Sequence, residues 1–143
     1  MKIREVMTAP VVRISPEENV SVASRTLAHY NIGALPVCGA DGKLCGMLTD
    51  RDIVTRCLAA GKTPAATKVR EVMSSGISVV RPDMDTETAG ALMSSKQIRR
   101  LPVMENGKLC GMISLADLAQ NRDTVEKAGE VLSNVSRGVS HRE

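Results

Sequence analysis

The chain is written twice, and this duplication limits the fold more than any other feature of its 143 residues. Ile3-Arg4-Glu5-Val6-Met7 returns as Val69-Arg70-Glu71-Val72-Met73, Pro16 as Pro82, Ala23 as Ala89, Ile32 as Ile98, and Leu35-Pro36-Val37 as Leu101-Pro102-Val103. After the loss of one residue, Gly42-Lys43-Leu44-Cys45-Gly46-Met47 recurs unchanged as Gly107-Lys108-Leu109-Cys110-Gly111-Met112. A copy of about 60 residues buries too little surface to be comfortable alone, so the two are expected to share one core and to be related by a pseudo-twofold axis. The copies read as 1–60 and 68–122, with a linker at 61–67 and a C-terminal helix and tail at 123–143.

Within each copy the apolar period switches. Val11-Val12-Arg13-Ile14 and Ile77-Ser78-Val79-Val80 are short, largely β-branched runs that predict a strand. Asn19 and Asp85 then stand as N-caps before helices whose stripes are Val20, Ala23 and Leu27, or Ala89, Leu92 and Met93. A hairpin follows, turning at Gly39-Ala40-Asp41-Gly42 or at Glu105-Asn106-Gly107. A second helix begins near Thr49 or Ser114 and carries Ile53, Val54 and Leu58, or Leu115, Leu118 and Ala119. Each repeat is therefore β-α-β-β-α, an α+β arrangement. From Thr124 to Val135 a further amphipathic helix is expected, docked on the fold or paired with another subunit, with fraying beyond Ser136.

Composition narrows the function. Tyr30 is the only aromatic residue among Phe, Tyr and Trp, so base stacking has almost nothing to work with, and the net charge of +3 is spread evenly over both copies. Nucleic acid is thus not an expected partner. No apolar run is long enough for a membrane span or a signal peptide, and the expected location is the cytoplasm. Cys38, Cys45, Cys57 and Cys110 lack metal-ligand spacing, with only His29 and His141 to supplement them, so no metal site is expected. Cys45 and Cys110 read as small buried hydrophobes in their strands. His29 lies off the apolar stripe of its helix, and the recurring Met7, Met47, Met73 and Met112 read as core filler. A catalytic centre needs a nucleophile with its base, a metal, or two acids at working separation, and the sequence offers none.

The informative motif is Gly46-Met47-Leu48-Thr49-Asp50-Arg51-Asp52 and its twin Gly111-Met112-Ile113-Ser114-Leu115-Ala116-Asp117. A hydroxyl three residues before an acid, at a strand-to-helix junction, has the spacing of a capping box. The same junction delivers a hydroxyl and helix amides toward a phosphate, and an acid one turn later toward ribose hydroxyls. The two roles are compatible.

The doubled block, with Val-Met near each start, a Leu-Pro-Val strand and a Gly-x-x-Thr/Ser-x-x-Asp close, resembles the CBS domain. About residues 3–122 resemble a tandem CBS pair, or Bateman module, of the kind found as small stand-alone bacterial proteins. The resemblance implies two repeats packed with pseudo-twofold symmetry, binding an adenosine-containing ligand (AMP, ADP, ATP, NAD or an S-adenosylmethionine type) as a regulatory rather than catalytic ligand in a cleft between them. It implies that Asp52 and Asp117 hold ribose and that Thr49 and Ser114 reach phosphate. Thr8, Pro10 and Val12, and likewise Ser74, Gly76 and Ser78, would surround the adenine. Residues at the Leu-Pro-Val strand complete the sites: Gly33, Ala34 and Pro36 in one copy, Ile98, Arg99, Arg100 and Pro102 in the other. The family's phosphate-binding basic residues are matched by Arg99 and Arg100 but replaced by Gly33 and Ala34, so the sites are expected to be unequal, with Arg51 a candidate to compensate. The resemblance also implies a homodimer, with a separate effector protein as a further partner. The alternative is a non-catalytic interaction protein whose ligand site is vestigial.

Overall fold

The computed structural model describes residues 1–137; the expectation of fraying beyond Ser136 and the tail position of His141 fall on residues 138–143, outside that range. In chain order the elements are α1 (Val20–Tyr30), β1 (Ala34–Cys38), β2 (Leu44–Thr49), α2 (Asp50–Asp52), α3 (Thr86–Lys96), β3 (Arg100–Glu105), β4 (Lys108–Ser114), α4 (Leu115–Ala119) and α5 (Val125–Ser136). Past Asp52 the helix widens into π-type turns over Ile53–Leu58. β1 pairs with β2 and β3 with β4, both antiparallel.

The chain divides into two compact units that cut across the repeats. One holds Met1–Val11 with Ser78–Glu143, and the other holds Val12–Ile77. We call them the Asp117 half and the Asp52 half. The single shared core expected from the repeat length is not what forms. Two apolar clusters are present, and each is completed by the opening segment of the other copy. Ile3 lies fully buried beside Met93, Leu101 and Ile113, while Val69 and Val72 lie fully buried beside Leu35 and Leu48. Each copy thus acquires the missing apolar surface by exchange of a short segment.

Backbone bonds fix this exchange at equivalent places. Ile3 N–H donates to Met84 O (2.8 Å) and Arg4 N–H to Pro82 O (3.0 Å), as Val69 N–H donates to Glu18 O (2.8 Å) and Arg70 N–H to Pro16 O (3.0 Å). Glu5 and Glu71 accept the backbone N–H of Lys2 (2.6 Å) and Lys68 (2.7 Å). The buried anchors are therefore Ile3 and Val69, each just before the repeated Arg-Glu-Val-Met motif, while the Arg and Glu of that motif stay exposed.

Neither predicted first strand forms; each is reduced to one parallel bridge, Ile14 to Val37 and Val80 to Val103. Extending the first ladder backward needs an N–H at position 36 and forward one at position 16, and both are proline. Pro102 and Pro82 block the second ladder in the same way.

The cap at Asn19 is made, its side chain accepting Val22 N–H at 3.0 Å. Asp85 occupies the same position without a side-chain cap; its carboxylate lies instead 3.9 Å from Lys2 Nζ. Helices α1 and α3 each end on a left-handed residue, Asn31 (φ 53°) or Gln97 (φ 54°), with Ile32 and Ile98 N–H bonded back to Leu27 and Met93. Asn106 (φ 53°) and Gly107 (φ 77°) make the two-residue hairpin turn.

Several side chains depart from expectation. Val54 and Leu58 are exposed, because from Ile53 onward the wide turns direct Ile53 and Cys57 inward and carry their neighbours outward. Cys45 is exposed and Cys110 half-buried, since the register skips both residues as bulges opposite Cys38 and Met104. The buried thiols are Cys38 and Cys57; burial pushes the Cys38 thiol up, with Arg13 opposing weakly. α5 docks on the Asp117 half through Ala128, Val131 and Val135, and Gln97 Nε2 donates to Asn134 O at 3.3 Å. Its Val125 and Leu132 remain exposed.

Two predictions follow from this packing. A Cβ at Gly46 would strike the carbonyl oxygen of Ser74, whereas at Gly111 it would meet the flexible Met7 Sδ at 2.6 Å and Thr8 O at 3.1 Å. Gly46→Ala is expected to destabilise by about 1–3 kcal/mol in urea denaturation and Gly111→Ala by less. In thiol labelling of the native protein, Cys45 reacts first, and Cys38 and Cys57 react only when denaturant opens the fold.

Candidate functional site

Each half brings its repeated motif to the same geometry. β2 runs straight into α2 and β4 into α4, so the hydroxyl residue is the last of its strand and the N-cap of the helix. Thr49 Oγ1 accepts Asp52 N–H at 3.0 Å, and Asp52 Oδ2 accepts Thr49 N–H at 3.0 Å. Ser114 Oγ and Asp117 N–H are 3.1 Å apart, and Asp117 Oδ2 accepts Ser114 N–H at 2.8 Å. The capping box is therefore real in both copies. It uses only one oxygen of each carboxylate.

The second oxygen has a different neighbour in each half. Asp117 Oδ1 accepts the Thr8 hydroxyl at 3.2 Å. Asp52 Oδ1 lies 3.8 Å from Arg56 Nε, and the same guanidinium donates through Nη1 to Met73 O at 3.2 Å. Asp52 has only 13% of its side chain exposed. Asp117 thus reaches the exchanged segment directly, whereas Asp52 meets a cation of its own helix that in turn bonds that segment.

That segment is held on the outer edge of the hairpin. Thr8 bridges Met112, with N–H to O distances of 2.8 and 3.0 Å, and Ser74 bridges Met47 at 2.9 Å in both directions. The glycines at positions 46 and 111 permit this approach, since side chains there would collide with it. Met7 and Met73 pack against the two cores, and Met47 is buried, as their recurrence predicts.

In the Asp117 half the predicted residues Thr8, Arg100, Pro102, Ser114 and Asp117 come together. Arg100 stands opposite Ser114 and Pro102 opposite Met112, while Arg99 O accepts Leu115 N–H at 2.8 Å. Arg99 is exposed just before β3, and Arg100, the first residue of that strand, is half-buried. Ile98 is half-buried at the end of α3, Ser78 is half-buried, and Pro10 is exposed. In the Asp52 half, Ala34 stands opposite Thr49, Pro36 opposite Met47, and Gly33 O accepts Asp50 N–H at 3.0 Å. Val12 packs against the core of that half, Ser74 pairs with β2, and Gly76 is exposed with φ 69°. Arg51 is exposed, and its own N–H is taken by Asp50 Oδ1 at 2.8 Å.

Sequence reasoning missed Arg56, the cation that meets Asp52. Its signal is the acid-to-arginine spacing of one helical turn, Asp52 to Arg56. Two open grooves, of about 350 Å³ beside α1 and about 470 Å³ between α3 and α5, contain none of the predicted residues. His29 is exposed and meets Tyr30 edge-on at 4.8 Å. Among the described residues no group of three or more His, Cys, Asp or Glu side chains is placed to hold a metal ion, and no helix is long and apolar enough to cross a membrane.

Comparison with known proteins gives this geometry a context. The CBS domain family model matches residues 3–59 and 69–124. The chain is 40% identical over 139 residues to the CBS domain-containing protein YhcV of Bacillus subtilis, covering 97% of this chain and 98% of that protein. It is similar to the crystal structure of Hypoxic Response Protein I with two coordinated zinc ions, at a TM-score of 0.79 and 36% identity, over 85% of this chain and 98% of that one. It shares its fold with the CBS domain pair of protein MJ0100, solved with 5′-methylthioadenosine and S-adenosylmethionine, at a TM-score of 0.76 and 22% identity, covering 84% of this chain and 98% of that one.

The double capping box has a measurable consequence. Thr49→Ala and Ser114→Ala should each cost about 1 kcal/mol in urea denaturation, because each leaves a first-turn amide without its acceptor.

Proposed function

We propose, because this chain belongs to the CBS-domain family and carries two such domains, that it is a non-catalytic regulatory module binding an adenosine-containing ligand and transmitting its occupancy to an effector protein or across a homodimer. The observation that carries this reading is the second oxygen of each motif aspartate. Oδ2 is committed to the helix cap, which fixes the carboxylate, while Oδ1 faces Thr8 of the exchanged segment in one half and Arg56 of its own helix in the other. A ribose diol supplies two donors, and a rigidly held carboxylate oxygen is a preorganised acceptor for them.

In this reading Thr49 and Ser114 lie toward the phosphate, and the backbone of the exchanged segments lines the base through main-chain bonds and aliphatic contact. Thr8 and Asp117 come from different repeats, so one such site draws on both copies while lying within a single half. MJ0100, which shares the fold, is solved with two adenosyl compounds, and this supports adenosyl chemistry as the ligand class. Cytoplasmic location belongs to the same proposal. Ligand binding transmits a signal only if it favours one arrangement of the chain over another, and the exchanged segments, covalently continuous between the halves, are the route we assign to that coupling.

Self-association is the second reading and has its own observation. Tyr30 (53% exposed), Val54 (55%) and Leu58 (54%) lie on the Asp52 half without cover, whereas α5 covers the corresponding helices of the Asp117 half. An apolar surface of this kind favours a homodimer.

The test is a thermal-shift panel of AMP, ADP, ATP, NAD and S-adenosylmethionine. At a hundredfold excess over its dissociation constant, a ligand specific for the native state adds about 2.7 kcal/mol and raises the melting temperature by roughly 5 °C or more. Asp52→Asn with Asp117→Asn keeps a capping oxygen but removes the anionic acceptor, and is expected to abolish the shift. A shift that survives this double change, or none with any member of the panel, overturns the proposal.

A further inference from the structure

The two halves hold the decisive carboxylate oxygen by different chemistry. In the Asp117 half Oδ1 is bound by the Thr8 hydroxyl at 3.2 Å, a neutral group that rotates and accepts as readily as it donates. In the Asp52 half Oδ1 faces the Arg56 guanidinium at 3.8 Å, and that guanidinium is tied to Met73 O at 3.2 Å. The residue matching Arg56 in the other copy is Asn121, whose side-chain oxygen is turned to Asp123 N–H at 2.9 Å. The repeat symmetry is thus broken at one charged position beside the acid.

This difference changes what each acid accepts. A diol approaching Asp117 displaces one hydroxyl donor. A diol approaching Asp52 weakens a guanidinium–carboxylate pair, a cost that an uncharged nucleoside has no means to offset. A phosphate offers the guanidinium a second anion with matching fork geometry, and the tie to Met73 O keeps the guanidinium beside the site while leaving further N–H donors. Gly33 and Ala34 also stand where the other half has Arg99 and Arg100, and Arg51 points to solvent, so Arg56 is placed to serve as this half's cation.

We propose that Arg56 is the specificity-determining residue of the Asp52 half and makes that site select a phosphorylated adenosyl ligand over the unphosphorylated nucleoside. The inference rests on the reading of Asp52 as a diol acceptor.

The test is calorimetric titration of AMP and of adenosine into the full chain carrying Asp117→Asn, which silences the other site. AMP is expected to bind about tenfold or more tighter than adenosine. Adding Arg56→Gln is expected to bring the ratio close to one, and Arg56→Lys to retain an intermediate ratio. The lysine variant also serves as the decisive arm if the glutamine variant does not fold. An unchanged ratio in the folded Arg56 variants, while Asp52→Asn abolishes binding of both compounds, overturns the role of Arg56 and leaves the diol reading standing. Binding of both that survives Asp52→Asn overturns the diol reading and this inference with it. Failure of AMP to bind the Asp117→Asn protein also overturns the inference.

Discussion

The structure depends on a short antiparallel contact made twice, where the backbone at Thr8 and at Ser74 lies along the outer edge of β4 and of β2. This contact satisfies edge groups that a two-stranded sheet would otherwise leave open. It carries Ile3, or Val69 and Val72, into a core that the rest of the half cannot fill. It also places the exchanged segment one side chain away from the motif aspartate. The glycine at the head of each motif is explained by the contact and not by ligand chemistry, because the backbone passes where a Cβ would be.

The opposite edge of each hairpin is closed by different means. Prolines at matched positions on both partners limit the parallel ladder at Ile14 and at Val80 to one bridge. Each sheet is therefore bounded on one side by an exchanged segment and on the other by proline. The duplication preserves both devices, while the helix faces have diverged. α5 is laid over α3 and α4, and Gly90 leaves room for the Lys127 stem across α3, whereas Val54 and Leu58 stay open on the other half.

Much of this was legible from the sequence. The repeat, the hairpins, the helix stripes and the hydroxyl-to-acid junction all follow from local spacing, and local spacing governs local hydrogen bonding. What sequence did not reveal is which copy completes which core. A short apolar anchor such as Ile3 or Val69 fits either, and chain connectivity decides it through non-local pairing. The bulges that turned Cys45 outward were hidden for a related reason, since alternation counts residues along one strand and a bulge is a property of two. Asp85 makes no side-chain cap, and its carboxylate lies beside Lys2 and the N-terminal ammonium, both far away in sequence. The sequence did carry the Asp52–Arg56 spacing, which has meaning only once the second oxygen of Asp52 is seen to be uncommitted to the cap.

A capping box and the proposed ligand site look like rival explanations of the same four residues, but on that proposal the first is the precondition of the second. A carboxylate free to rotate would lose rotamer entropy on meeting a diol and would present its charge in many directions. Tied through Oδ2 to the N–H of the strand's last residue, Asp52 and Asp117 have already met that entropic cost in folding, and each offers Oδ1 along one direction. The cap therefore fixes where the acceptor points, and on the proposed reading the group beside it sets what that acceptor favours. The cap is the same in both copies and the neighbour is not, so the fold keeps two carboxylates in one geometry with different surroundings.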